Sequence, residues 1–501
     1  MTDPEAWGIA PGYHDHHGDW RPTPKATAEA LLEAMGADGR ASPPTGDDRV
    51  RVVVAGGRER LEGRWTLETE DGGDRTVEGE LPADLPLGYH ELRRDDGHHV
   101  GLVVTPPACF FPDRLRTWGW AVQLYAARSG DSWGMGDLGD LRRLARWSAG
   151  QGAGLALINP LHAVLPIGTQ QASPYSPSSR CYRNPLYLRV EEVPGASAAE
   201  LDLESLAAAG RELNGNRLID REAVWRLKLD ALQRLWGRFD ADPGFDRYCD
   251  EQGPALEAYA TFCALSEHHG IPWPEWPAHL RHPESDHVKG FADANRDRVR
   301  FHQWLQWLTD SQLAAAGSEL DVVQDLAVGV DAGGADAWLW QECFAHGASI
   351  GAPPDEFNTF GQDWGLAPFD PWCLRAARYE PFVRMLRAAF RHAGGVRIDH
   401  VMGLFRLFWV PTGARPPEGA YVRYPWKDLV AILALESHRA GAYVVGEDLG
   451  TVEDMVREEL GARSVMSYRL MWFEPRPPRD YPGRSLAAVT THDLPTIPGL
   501  W

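Results

Sequence analysis

From residue 49 to about residue 107, apolar and polar positions alternate in short runs: RVRVVVAGG, GRWTLETEDGG, RTVEGELP, GYHELRRDDGH and HVGLVVTPP. Each run is bounded by Gly, Pro or Asp, and a period of two broken by turn formers predicts antiparallel strands. Residues 45–107 are therefore expected to form a small all-β, sandwich-like domain. Beyond Pro107 the pattern changes. Apolar runs at 118–126, 154–161, 321–330, 394–399, 441–448, 467–474 and 485–493 alternate with helical stretches such as EPFVRMLRAAFRHAG and WKDLVAILALESHRAG. Those stretches are amphipathic, and several end at Gly, as helix C-termini commonly do. Strand–helix alternation sustained over ~380 residues predicts an α/β parallel sheet, and so many repeats favour a (β/α)8 barrel of the TIM type.

The interval 162–320 is too long for a loop. Its segments ESLAAAGRELN, REAVWRLKLDALQRLWGRF and VRFHQWLQWLTDSQLAAAG read as helices of an insertion within a barrel domain at 108–501. Only seven barrel strands can be counted where closure needs eight. The eighth is expected to be missing from this chain through C-terminal truncation, which leaves sheet edges unpaired. Residues 1–44 make a separate N-terminal segment. Its start resembles a surface piece that docks on something, and PKATAEALLEAMG (24–36) reads as a short helix closed by Gly36. His14, Asp15, His16 and His17 are adjacent and point in different directions, so no metal site is expected.

Composition narrows the partners. The formal net charge is −21, from 50 Lys+Arg against 71 Asp+Glu. Such a balance argues against nucleic acid and anionic membranes, and fits a neutral substrate. The six cysteines are scattered without a C-x-x-C pair, which points away from disulfides and zinc and toward a reduced, cytoplasmic setting. The N-terminus lacks a signal-peptide pattern, and no apolar run reaches the ~18 residues a membrane span needs. The β domain offers only Trp65 and Tyr89 as sugar-stacking rings, so a spacer role is favoured over carbohydrate binding.

The chemistry is expected at three strand ends. Val396–Asp399, Tyr443–Glu447 and Ala487–Asp493 are short apolar runs that each finish on a carboxylate. A (β/α) barrel gathers its C-terminal strand ends around one pocket. An acidic residue there can also be a turn former or helix N-cap, the role expected of Asp448. Glycosidic bond cleavage requires one ionised and one protonated carboxyl. Arg397, two residues before Asp399 and on the same strand face, would keep that carboxylate ionised. Glu447 is approached by Tyr443, Val444 and Val445, an apolar setting suited to a proton donor.

These residues carry a family resemblance. RIDHVMGLFRLFWVP (397–411), VVGEDLGTV (444–452) and TTHDLPT (490–496) resemble the signature blocks of the amylomaltases, the 4-α-glucanotransferases of glycoside hydrolase family 77. SWGMGDLGDL (132–141), LPIGTQQASPYSPSSRCYRNPLYL (165–188), DLAVGVDAGGADAW (325–338) and GAPPDEFNTFGQDWGLAPFDP (351–371) occur in the family's order. The opening WGIAPGYHD and the β domain resemble the N-terminal extension of the longer bacterial members.

The resemblance implies Asp399 as nucleophile, Glu447 as acid and then base, and Asp493 as the carboxylate that binds the reacting sugar's hydroxyls. Arg397 and His492 match positions that hold the nucleophile and donor sugar, with His400 nearby. Ser173 and Tyr175 of S-P-Y, with Gln362 and Trp364 of G-Q-x-W-G, would line the subsites. Trp364 is expected in a loop, and the 351–371 segment is a candidate lid. Asp325 matches a carboxylate on the third strand, although Ala327 replaces the usual Pro. No cofactor or metal is implied. The substrates implied are maltooligosaccharides and other α-1,4-glucans, with a retaining α-glucan hydrolase as the alternative activity.

Overall fold

The computed structural model describes residues 2–499 except 38, 41, 42, 44–48, 114, 451, 493 and 496–498. It divides into two compact units. The first comprises Met1–Leu115, Glu342–Arg391 and Val396–Trp501, and the second Arg116–Gln341 with His392–Gly395.

The first unit opens with a hairpin, β1 (Gly12–His14) and β2 (Trp20–Pro22), followed by helix α1 (Lys25–Ala34). The opening segment does dock. Ala10 N–H donates to Tyr421 O and Arg423 N–H to Gly8 O, both at 2.8 Å, and Tyr13 packs edge-on against Phe408 and Tyr421. In the His-rich turn the Asp15 carboxylate accepts from Arg21 Nε at 2.8 Å and from the His17 and Asp19 N–H groups at 2.9 and 3.0 Å. That carboxylate organises a turn.

Strands β3 (Val50–Val54), β4 (Arg60–Glu68), β5 (Asp74–Glu80), β6 (Gly88–Arg93) and β7 (His99–Thr105) form one sheet in the order β3–β7–β6–β4–β5. The β3–β7 pair is parallel, a departure from the antiparallel expectation. Three strands lie between them in sequence, long enough a connection to bring β7 back in the direction of β3. Trp65 is buried in the sheet's core with Leu61, Leu67 and Leu92. Tyr89 instead packs against residues of the same unit far along the chain, Arg387, Glu436 and Arg439. Both candidate stacking rings are thus consumed by packing.

The second unit supplies β8 (Gly119–Val122), α2 (Leu138–Gly150), β9 (Leu155–Ile158), the short pair β10 (His162–Ala163) and β11 (Ser179–Arg183), and helices α3 (Leu203–Glu212), α4 (Arg221–Trp236), α5 (Pro243–Gln252), α6 (Pro254–His269), α7 (Asp286–Ala294) and α8 (Arg296–Gly317). Strand β12 (Asp321–Leu326), the two-residue β13 (Val330–Asp331) and α9 (Ala335–Leu339) complete it. β8, β9 and β12 pair in parallel in that order. The helices bury aromatic-rich cores, one around Phe245, Phe301 and Trp304, another around Phe262, Trp276 and Trp338. Helix α2 starts at Asp137, whose carboxylate accepts from the Gly139 and Asp140 N–H groups. Arg189 grips that same carboxylate through Nε at 2.9 Å and reaches Asp140 at 2.8 Å.

The chain then returns to the first unit with β14 (Ala348–Ala352), β15 (Gln362–Ala367), α10 (Pro371–Ala376), α11 (Glu380–Phe390), β16 (Gly395–Ile398), β17 (Arg406–Pro411), β18 (Ala420–Arg423), α12 (Trp426–Ala440), β19 (Tyr443–Gly446), α13 (Asp454–Ala462), β20 (Met466–Leu470) and β21 (Ser485–Ala488). β15–β14–β17–β18 are antiparallel neighbours. β16, β19, β20 and β21 are neighbours in that order. All four residues of β16 and of β19 are buried, as strands covered on both faces must be. Helix α12 also anchors the N-terminal sheet. Tyr89 Oη donates to Glu436 Oε1 at 2.6 Å, Arg387 and Arg439 lie over its ring, and Arg439 pairs with Glu70.

Candidate active site

Strand β16 ends at Ile398, so Asp399 is the first residue beyond its buried run. Arg397 Nη2 lies 2.9 Å from Asp399 Oδ1, and the guanidinium is almost fully buried while the carboxylate keeps about a fifth of its side-chain surface open. The face of Tyr468, on β20, lies 5.3 Å from that guanidinium. A nearly buried cation thus lies against one oxygen of a partly exposed carboxylate, a geometry that favours the charged form.

Strand β19 ends at Gly446, one residue before Glu447. A Cβ at Gly446 would sit 3.0 Å from a Val401 methyl, so a glycine lets the two strand ends approach. Three hydrogen bonds then join them. Glu447 N–H donates to Ile398 O at 3.0 Å, and Val401 N–H to Glu447 O at 3.1 Å. His400 N–H donates to Glu447 Oε2 at 2.9 Å. His400 adopts the left-handed conformation, φ 48° and ψ 59°, which is uncommon for a residue with a side chain and aims its N–H at the carboxylate. Leu449 N–H holds the other oxygen, Oε1, at 2.9 Å. The Asp399 and Glu447 strand ends are therefore one connected piece of backbone.

The His400 ring stands edge-on to Trp364 with centroids 5.5 Å apart. Burial lowers its pKa below the usual value against the opposing pull of Glu447, and Arg406 adds to the lowering. Trp364 Nε1 donates to Gln362 Oε1 at 3.1 Å. Both residues lie on β15, so the expected loop placement is corrected: most of 351–371 is the β14–β15 hairpin and the short link from it into α10. The Gly, Pro and Asp residues that suggested a loop concentrate at the hairpin's tip.

In the second unit, Tyr175 Oη donates to Asp325 Oδ2 at 2.6 Å. Asp325 is nearly buried at the end of β12. Ser173 Oγ accepts from Tyr175 N–H at 3.3 Å and shapes that turn.

Residues 122–501 match the family model described as 4-alpha-glucanotransferase of glycoside hydrolase family 77. The chain belongs to that family. Residues 44–106 match the MalQ N-terminal beta sandwich domain. The chain is 45% identical over 483 residues to a 4-alpha-glucanotransferase of Mycobacterium tuberculosis, covering 88% of this chain and 64% of the relative. It is 37% identical over 461 residues to that of Haemophilus influenzae, covering 83% of this chain and 66% of the relative. The chain thus spans just under two thirds of the length of these curated relatives. The crystal structure of amylomaltase from Corynebacterium glutamicum superposes with a TM-score of 0.85 at 34% identity, covering 98% of this chain and 79% of that one. Amylomaltase from Streptococcus agalactiae, solved with acarbose, shares the fold at a TM-score of 0.65 and 17% identity, over 76% of this chain and 80% of that one. The fold is a (β/α) barrel with seven parallel strands among the described residues, preceded by a β domain.

Against this family background two details differ from the sequence expectations. Asp448 is no N-cap, since α13 begins after Glu453. Its buried carboxylate accepts from Ser467 Oγ at 2.6 Å and Tyr468 N–H at 3.0 Å, and so ties the end of β19 to β20. Strand β21 stops at Ala488, five positions before Asp493. Asp493 itself lies outside the described residues, and His492 is exposed on the stretch after β21. Ala327 donates its N–H to His162 Nε2 at 3.3 Å, a bond that Pro could not make. Burial, aided by Arg183 and Arg180, holds the His162 pKa well below the usual value. Sequence reasoning missed Tyr468; the alternating burial of M-S-Y-R-L, which turns its ring inward, is the only signal that could have found it.

Proposed function

We propose that this chain transfers a segment of a 1,4-α-glucan to the 4-hydroxyl of a second glucan or of glucose, by retaining double displacement. The observation that carries this reading is the backbone connection between the two strand ends, which holds an Arg-paired carboxylate and a half-buried glutamate in fixed relation. Asp399 attacks the anomeric carbon as the glycosidic C–O bond breaks, and Glu447 gives its proton to the departing oxygen. The glucosyl ester on Asp399 is then attacked by the acceptor's 4-hydroxyl, whose proton passes to Glu447, and Asp399 leaves as carboxylate. Arg397 holds Asp399 ionised. Asp493 and His492 bind the reacting sugar's hydroxyls and support its charged, distorted transition state. Trp364 offers an apolar face to a pyranose ring, with Gln362, His400, Tyr175, Ser173 and Asp325 as polar contacts to donor and acceptor glucan.

The reading draws support from the names of the Mycobacterium tuberculosis and Haemophilus influenzae relatives and from the acarbose complex of the Streptococcus agalactiae amylomaltase. No helix is long and apolar enough to cross a membrane among the described residues, and all six cysteines are free thiols. Both fit action in the cytoplasm. The test is incubation with maltotriose. Maltooligosaccharides longer than the donor, appearing with glucose, are the expected products. Glucose and maltose alone would replace transfer by hydrolysis. Asp399→Ala with unchanged activity would remove the proposed nucleophile.

A further inference from the structure

A closed ring of contacts runs behind the two strand ends of the first unit. From Glu447 it passes to the next residue, Asp448, whose carboxylate accepts from Tyr468 N–H at 3.0 Å and from Ser467 Oγ at 2.6 Å. The Tyr468 ring lies over the Arg397 guanidinium, Arg397 reaches Asp399, and Ile398 O accepts from Glu447 N–H. Asp448, Tyr468 and Arg397 are all buried. The ladder between β19 and β20 pairs Val445 with Met466 and Gly446 with Ser467. Beyond Gly446 the backbone of Glu447 bonds to Ile398 O, and the Asp448 side chain takes over the bonding to β20. On its other edge β20 is held by β21, where Tyr468 stands opposite Leu486.

We infer that Asp448 and Tyr468 are positioning residues for the displacement: Asp448 fixes β20 beside the strand end, and the Tyr468 ring so placed holds Arg397 directed at Asp399. The inference rests on the reading of Asp399 as nucleophile. A guanidinium is flat, with donors around its edge and a face that forms no hydrogen bonds. The edge of Arg397 meets Asp399 Oδ1 at 2.9 Å. An aromatic ring against the face restrains tilting and favours the cation. Arginine fixed in both ways keeps its charge at one oxygen of the nucleophile through attack and departure. The charge of Asp448 is met by Arg457 Nε and Arg469 Nη2, 3.8 and 3.7 Å from its Oδ2, so its effect on Asp399 runs through the placement of Tyr468. The two routes have opposite signs. A carboxylate acting through space hinders ionisation of Asp399, whereas one acting through Tyr468 and Arg397 supports it.

The test reads Asp399 itself, by NMR of the chain labelled with carbon-13 at its aspartate carboxyls, the signal being assigned with Asp399→Asn. Tyr468→Met should raise the titration midpoint of Asp399 by about half a pH unit or more. Tyr468→Phe keeps the ring and should keep the parent midpoint. Asp448→Ala should also raise it, against the fall that loss of a nearby negative charge gives by itself. The double variant Asp448→Ala/Tyr468→Met should go no further than the larger single change. In maltotriose transfer, Tyr468→Met should lower kcat about tenfold with KM within about twofold of the parent. An unmoved midpoint in Tyr468→Met overturns the inference, as does an equal rise in Tyr468→Phe, a fall in Asp448→Ala or additive rises in the double variant. If near-ultraviolet circular dichroism shows Asp448→Ala unfolded, the two Tyr468 variants decide alone. Shifted midpoints in a chain that transfers no glucan would remove the nucleophile reading and leave the positioning; transfer with unshifted midpoints would do the reverse.

Discussion

Two arginine–carboxylate clusters, one in each unit, show how the same chemical pair serves different ends. Around Arg189 the guanidinium and both carboxylates, Asp137 and Asp140, are sealed from solvent. Asp140 also accepts from Ser129 and Ser132 at 2.6 Å each, and Lys228, itself buried, donates to the Leu186 and Leu188 carbonyls beside them. The polar capacity is turned inward, to fix the start of α2 against the helical insertion. Around Arg397 the cation is equally buried, yet Asp399 keeps a part of its surface open. A carboxylate whose partners surround it holds a structure. One that keeps about a fifth of its side-chain surface open is placed for the reactive role proposed above.

Substitutions that break this contrast should separate activity from stability. Asp399→Asn should lower transfer activity about 10³-fold or more while leaving the thermal midpoint within a few degrees, as measured by maltotriose turnover and calorimetry. Arg189→Met should do the reverse. Removing one partner of a buried ion cluster costs roughly 3–5 kcal/mol, read as a lower denaturation midpoint, with residual folded protein retaining its kcat.

A third pair adds pH. Burial alone would raise the pKa of Glu267, but hydrogen bonds from Arg298 and His302 win and hold it at about 2, below its ordinary 4.5. Its stabilising effect is thus complete above about pH 4.5 and fades as pH falls toward about 2. Glu267→Gln should cost up to about 3 kcal/mol at pH 7, with the gap to the parent narrowing below pH 4 in urea titrations. The smallest effect is expected from Tyr89→Phe, which strips one buried hydrogen bond between the N-terminal sheet and α12. About 1 kcal/mol of stability and an unchanged kcat are predicted; a large fall in kcat would show that the sheet steers catalysis.

The runs of β9, β12 and β19 were legible because strands buried on both faces leave a stretch of Val, Ile and Leu; β8, β20 and β21 were legible mainly through their place in the strand–helix alternation. Arg397 was legible through the two-residue spacing of a strand. The role of Asp448 was not. Locally it has the same signature as Glu447, an acidic residue just after a buried strand, and only the register of β20, which brings Ser467 and Tyr468 alongside, separates the tether from the proposed proton donor. The β14–β15 hairpin was hidden for a related reason. Strand β14 takes its second partner from β17, some sixty residues onward, and the turn formers between 353 and 361 dominate the local pattern. The third unread feature, the bond from Ala327 to His162, joins residues 165 positions apart, a distance over which residue spacing says nothing.

The hydrogen bonds joining Ile398, His400 and Val401 to Glu447 carry a consequence for anyone who would redesign this protein. The proposed nucleophile and proton donor, Asp399 and Glu447, travel together, as jaws cut from one piece of metal. Changes elsewhere in the scaffold can shift the sugar against the pair, and so alter which glucan is accepted, without spoiling the spacing on which bond cleavage depends. Substitutions at His400 or Gly446 lack that tolerance, since each would part the jaws themselves.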